Sequence, residues 1–317
     1  MKPLNLIPAD TNIQFMSKRV IFFAISAFLV LASIGVVASK GLNFGIDFKG
    51  GILIEVRTEG PADVSAMRGQ LGALGLGDIS LQEFGAPTDV LIRIQRQEGD
   101  DDAQQKAVEA VKAEFGDSVT YRRTEFVGPT VSEELLTSGI EAVGLAILAI
   151  LVYIWFRFEW QFGLGAVVAL THDVITTIGI FALLGLEFNL STVAAVLTIA
   201  GYSINDTVVV FDRVREKLRK FKSMPLPELL NLAINKTLSR TLMTSVTTLI
   251  ALLALFFLGG EVIRDFAFAM IWGVLIGTYS SICVAVPLLI YLGLDNRARG
   301  GIDGSDQTGP ESVPEHS

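Results

Sequence analysis

Within a stretch otherwise rich in Val, Ile, Leu and Ala, the run Gly201-Tyr202-Ser203-Ile204-Asn205-Asp206-Thr207 brings together a phenol, hydroxyls and a carboxylate. A charged residue at the centre of a membrane helix carries an insertion penalty of about 2.5–3.5 kcal/mol. Asp206 therefore signals a partner, a watery cavity or a proton site. Tyr202, Ser203 and Arg213 stand four, three and seven residues from it, spacings that gather all four on one helical stripe. The next apolar run opens with Ser239-Arg240-Thr241 and continues through Thr244, Ser245, Thr247 and Thr248, with Arg240, Thr244 and Thr247 sharing a face. Asp206 lies on the order of 10 Å above the end of its helix, the end from which Arg240 enters, so a long guanidinium side chain covers much of the gap. The expectation is an Asp206–Arg240 ion pair; an interfacial, snorkelling Arg is the competing reading. A carboxylate whose contact with a guanidinium is made and broken alternately releases and binds a proton.

Two further groups could take part. His172 and Asp173 sit together near the middle of another apolar run, either as relay members or as polar packing against neighbouring Ser and Thr residues. Gly45-Ile46-Asp47-Phe48-Lys49-Gly50-Gly51 follows the first apolar run, and its glycines suit a tight turn at the membrane surface. It is not a phosphate loop, because the Lys-Ser/Thr pair is missing. Metal-ligand spacing and cofactor motifs are absent, and a net charge of −8 speaks against nucleic acid as a partner.

The elements that must hold these residues are membrane helices. Of 317 residues, 51% are apolar and 18% charged. Apolar runs at 20–38, 135–156, 161–184, 190–211, 241–258 and 266–293 each approach the roughly 20 residues that span a bilayer. The first follows Lys18 and Arg19 and reads as an uncleaved signal anchor rather than a signal peptide. Lys and Arg crowd into a loop at Arg213–Lys222, on the side shared by Arg157, Arg297 and Arg299, whereas the connection at Glu187 has none. By the positive-inside rule both termini are cytoplasmic and residues 39–133 are external. Cys283 is the only cysteine, so no intrachain disulfide can form.

The period changes inside the external stretch. Strands are expected at Ile52–Arg57, Ile79–Phe84, Val90–Arg96 and Val119–Phe126, with helices at Ala62–Leu74 and Asp101–Phe115. The middle strands would form a hairpin across Gly85–Asp89. This order, βαββαβ, is the ferredoxin-like α+β arrangement, a superfold that names no function. The fold class is thus a polytopic α-helical membrane protein of six transmembrane helices with a ferredoxin-like external domain. Its segments are a cytoplasmic N-terminus (1–19), a first span (20–38), the periplasmic domain (39–133), a five-helix bundle (134–294) and a disordered cytoplasmic tail (295–317).

Gly45–Gly51, His172-Asp173, Gly201–Asp206 with Val210-Phe211-Asp212-Arg213, and Arg240-Thr241…Thr244-Ser245…Thr247-Thr248-Leu249 together resemble the motif set of the SecD/SecF family. This is a branch of the resistance-nodulation-division superfamily of proton-driven membrane proteins, and the resemblance runs over about residues 15–294. It implies location in the bacterial inner membrane and no enzymatic activity. The implied partners are SecD, the SecYEG channel and the insertase YidC, with preproteins as cargo. The implied work is late translocation and release of preproteins, driven by protons through the proton-motive force. In that scheme an intramembrane Asp and Arg act with an Asp of SecD, and they map onto Asp206 and Arg240. Three other readings compete: a proton-coupled small-molecule exporter of the same superfamily, an intramembrane aspartyl protease using Asp173 and Asp206, and a purely structural subunit. The protease lacks its Gly-x-Gly-Asp motif, since Asn205 precedes Asp206.

Overall fold

Apolar runs too long to end inside a soluble core fold into helices whose backbone groups are satisfied internally, as the hydrocarbon of a bilayer demands. The computed structural model describes residues 11–99, 101–260 and 263–294. Six of its helices are long and apolar enough to cross a membrane. These are α1 (Arg19–Lys40), α5 (Pro129–Arg157), α6 (Trp160–Leu184), α7 (Leu190–Lys220), α8 (Leu226–Leu258) and α9 (Arg264–Ser280), the last continued by a π-helical segment Ser281–Ala285 and α10 (Val286–Tyr291). Pro287 explains the π segment: proline cannot donate to the carbonyl four residues back and its ring crowds that carbonyl, so the backbone widens just before it.

Helices α6, α7 and α9 form the centre. Their packing is close because small residues face large ones: a Cβ on Gly273 of α9 would collide with Ile199 of α7, and one on Gly165 of α6 would lie 3.2 Å from Phe211 of α7. Helices α1, α5 and α8 lie outside, with long apolar side chains such as Phe28, Trp155, Phe156 and Phe257 exposed. On an integral membrane protein these are the groups that lipid or another subunit covers.

Between α1 and α5 the chain forms β1 (Asn43–Phe44), the short α2 (Ile46–Lys49), β2 (Gly51–Thr58), α3 (Val64–Gly72), β3 (Ile79–Phe84), β4 (Ala86–Ile94), α4 (Asp101–Phe115) and β5 (Val119–Val127). The four long strands make an antiparallel sheet in the order β3-β4-β2-β5, the split βαβ topology. Ile52, Ile54, Val56, Ile92 and Ile94 alternate onto the face that α3 and α4 cover with Leu71, Val108, Val111 and Phe115. Asp63 caps α3 by accepting from the Ala66 N–H at 2.9 Å.

Two expectations require correction. The hairpin turn is not Gly85–Asp89: strand β4 begins at Ala86, and the reversal turns on Gly85, whose φ is 77°, with a register shift at Glu83/Phe84. Asp89 therefore lies inside a strand, 3% exposed, held by both Arg57 nitrogens at 2.6 Å and by Arg122 at 3.2 Å. Nor is the basic stretch mainly loop. Arg213 to Lys220 continue α7, since Arg, Lys and Glu are good helix formers, and only 221–225 connect to α8. The tail 295–317, most of the N-terminus at 1–10, and Glu261 lie outside the described residues.

Candidate functional site

Asp206 projects from the buried side of α7 and is 8% exposed. Its Oδ2 accepts a hydrogen bond from Ser281 Oγ at 2.6 Å, from the first residue of the π segment. From α8, Thr241 approaches Asp206 and Arg240 is near enough to act on it through charge. No ion pair forms, however: among the described residues Asp206 has no salt-bridge partner, and Arg240 lies on the exposed side of α8. The cause is helical phase. Successive residues are about 100° apart, so with Thr241 turned inward, 1% exposed, Arg240 must point away from the core.

Asp173 on α6 is fully buried and more heavily bonded. Its Oδ2 accepts from Ser203 Oγ at 2.6 Å and Ser280 Oγ at 2.7 Å, and its Oδ1 lies 2.8 Å from His172 Nδ1. Gly277 lets α9 come close to this cluster, since a Cβ there would sit 3.3 Å from Ser203 Cβ. The other ring nitrogen of His172 is buried and has no partner among the described residues. The ring lies beside Tyr279, whose hydroxyl donates to the Phe22 carbonyl at 2.8 Å and pairs with Ser26 of α1 at 3.0 Å.

The stripe expected on α7 is therefore shared out among its neighbours. Ser203 serves Asp173, Asp206 binds Ser281, Tyr202 donates to Ser245 of α8 at 3.3 Å, and Arg213 pairs with Glu216 one turn on. Ser280 and Ser281 escape sequence reasoning, because hydroxyls within an apolar helix have no spacing that sets them apart. The dipeptide Ser280-Ser281 ahead of Pro287 is the signal that could have found them.

A second polar surface faces outward. Thr198, Gly201 and Asn205 on α7 and Arg240, Thr244 and Thr247 on α8 are all exposed. Thr244 and Thr247 return their hydroxyls to their own helix carbonyls, at 2.9 Å each, whereas the Arg240 guanidinium and the Asn205 amide have no hydrogen-bond partner among the described residues. Lipid would not solvate a guanidinium well, whereas small and polar residues together let another helix approach closely.

The segment after α1 does more than turn. Asp47 Oδ2 accepts the backbone N–H of Leu190 at 2.8 Å, so it caps the start of α7, the helix that carries Asp206. Phe44 and Asn43 pair in parallel with β6 (Glu187–Phe188), immediately before that helix. Gly50 and Gly51 have φ of 70° and 115°, and a Cβ on Gly51 would lie 2.7 Å from the Ile94 carbonyl, so the entry to β2 admits only glycine.

Comparison with known proteins agrees with these positions. The family described as "Protein export membrane protein SecD/SecF, C-terminal" matches residues 107–295, and "SecD/SecF GG Motif" matches residues 35–62, which contain Gly45–Gly51. A protein translocase subunit SecF from Cereibacter sphaeroides is 49% identical over 97% of both chains. Another from Rickettsia felis is 46% identical over 90% of this chain and 94% of its own. The crystal structure of SecDF from Thermus thermophilus, a translocon-associated membrane protein, superposes with a TM-score of 0.82 at 38% identity over 90% of this chain. A second SecDF structure, in a super-membrane-facing form, gives 0.65 at 36% identity over 94%. The chain spans 39% and 41% of those two solved chains. With both family segments, the full-length relatives and the fold in agreement, the chain belongs to the SecD/SecF family of protein export membrane proteins, on its SecF side.

Proposed function

We propose that this multi-pass membrane protein assists late translocation and release of preproteins, using proton movement at Asp206 and working with a SecD subunit beside the SecYEG channel and YidC. The observation that carries the reading is the contrast between Asp206 and Arg240. Asp206 is enclosed with a serine partner, while Arg240 stands one helix away on an exposed polar face. A partner helix bringing its own carboxylate to that face would engage Arg240, and Arg240 moving between it and Asp206 would change the proton affinity of both. Moving one charge through the membrane potential is worth about 2.3 kcal/mol per 100 mV, enough to bias a two-state equilibrium more than tenfold.

His172 and Asp173 extend the proton pathway away from the exposed face, with Tyr202, Ser203, Thr244 and Thr247 lining it. In the bacterial inner membrane, with both termini cytoplasmic, the sheet domain stands outside and can meet emerging chain. No step of this scheme makes or breaks a covalent bond. Asp173 and Asp206 each have their own serine donor, and no hydrogen bond joins them, which disfavours a protease dyad sharing one proton.

The test is preprotein release from spheroplasts with and without an uncoupler, for the parent and Asp206→Asn at matched abundance. The expected outcome is normal insertion with loss of the uncoupler-sensitive component. Full retention of that component in the Asn variant refutes Asp206 as the proton carrier.

A further inference from the structure

The residues just ahead of α7 are gripped from the external domain by three separate side chains. Arg93, on β4, donates through Nη2 to Glu187 Oε2 and through Nη1 to Asn43 Oδ1 at 3.2 Å. Asn43 in turn donates to the Gly185 carbonyl at 3.0 Å, and its backbone pairs with Glu187 in β6. Asp47 accepts from Leu190. The Arg93 and Glu187 side chains are only 17% and 14% exposed, so their ion pair is largely shielded from water and is not the weakly stabilising surface kind. Glu187 stands two residues before Asn189, which closes a capping box on α7. From there the helix runs unbroken past Asp206, a distance of about 24 Å to the carboxylate-bearing residue.

Beside this joint, between the sheet and helices α8 and α9, lies a cavity of about 300 Å³ lined by Arg93 and Glu187 themselves and by Leu91, Phe256, Asp265 and Phe268. The domain is thus held at the start of α7, with open space beside that joint toward α8 and α9. Arg93 is not needed for the domain's own core: Ile92 and Ile94 on either side of it point to the helix-covered face, so Arg93 points to the opposite one.

We propose that Arg93 is a positioning residue that joins the external domain to α7, so that a shift of α7 on proton binding at Asp206 is carried to the domain through Glu187. This rests on the reading of Asp206 as the proton site. The joint stays closed through the cycle, and the domain moves with the start of α7.

The experiment uses the full chain in its membrane, in a Cys283→Ala background, with uncoupler-sensitive preprotein release measured per molecule of this protein. Arg93→Glu is expected to lower that component about tenfold or more at unchanged abundance and protease resistance, because it opposes two carboxylates in a shielded place. The exchange Arg93→Glu with Glu187→Arg should restore at least half. In a double variant, Arg93→Cys with Glu187→Cys, release should be low, return when a short cleavable thiol-to-thiol linker joins the cysteines, and fall again on cleavage. A purely folding role would not respond to making and cutting a tether in assembled protein. Retention in Arg93→Glu while Asp206→Asn loses the component overturns the joint alone, as does a tether that blocks release. Retention in Asp206→Asn overturns the proton reading, and the joint's part in it falls too.

Discussion

Ser280 and Ser281 are consecutive in the chain yet donate to carboxylates on two different helices, Ser280 to Asp173 of α6 at 2.7 Å and Ser281 to Asp206 of α7 at 2.6 Å. The backbone between them is the junction of α9 with the π segment. Neither carboxylate can shift far without moving the same short piece of chain. A hydrogen bond to a charged group is worth about 1.5–3 kcal/mol.

Ser281→Ala should therefore impair uncoupler-sensitive preprotein release by about tenfold or more, on the scale of one such bond. Ser281→Thr keeps the hydroxyl and should retain most of it. Ser280→Ala leaves Asp173 with Ser203 and His172 and should act more weakly. Equal effects of the two alanine variants, measured at equal abundance, would contradict this account.

The sheet domain has a pH signature. The Arg57 guanidinium bonded to Asp89 holds that carboxyl below its usual range, with Arg122 adding to the effect and burial opposing it. A carboxyl lowered on folding contributes stability that is complete above its unfolded value, about 3.9, and is lost as pH falls through the folded value. The melting temperature of a fragment spanning residues 42–128 should drop below about pH 4, and Asp89→Asn should flatten that drop while lowering stability at neutral pH. An unchanged acid slope in Asp89→Asn would show that other carboxylates set it.

Gly51→Ala should destabilise the domain by more than about 1 kcal/mol, since the φ is unsuited to L-residues and the methyl meets the Ile94 carbonyl. Gly60, with open space around it, is the control, and Gly60→Ala should change the melting temperature little. Urea unfolding of the same fragment gives both values.

Orientation can be read chemically. Gln105, exposed on α4, is a suitable reporter, whereas Asp89 is buried. In a Cys283→Ala background Gln105→Cys should react with a membrane-impermeant maleimide in intact spheroplasts. Reaction only after the membrane is broken would invert the topology.

Much of this architecture is legible in the chain itself. The apolar runs announce the spans, and the β-rich run at Ile52–Arg57 and the periodicity at Asp101–Phe115 announce the sheet and helix of the domain between α1 and α5. Asp206 and Asp173 stand out because carboxylates are costly among Val, Ile and Leu. Their partners do not stand out. Choosing Thr241 over Arg240 as the inward residue depends on a rotation of about 100°, smaller than the uncertainty with which a helix can be phased from one polar face. The capping of α7 by Asp47 joins residues 143 apart, a contact that no local pattern encodes.

The π segment at Ser281–Ala285 is, in register, an α-helix with one residue too many. Removing a residue within 282–285 would restore ordinary winding, but everything on one side would turn by about 100° relative to the other. Either the serines would leave their carboxylates, or Val286, Leu289 and Leu294, now buried, would rotate toward lipid. A change of length is thus tolerated in this stretch far less readily than a substitution that keeps its volume, and alignments of related chains should show no gap here.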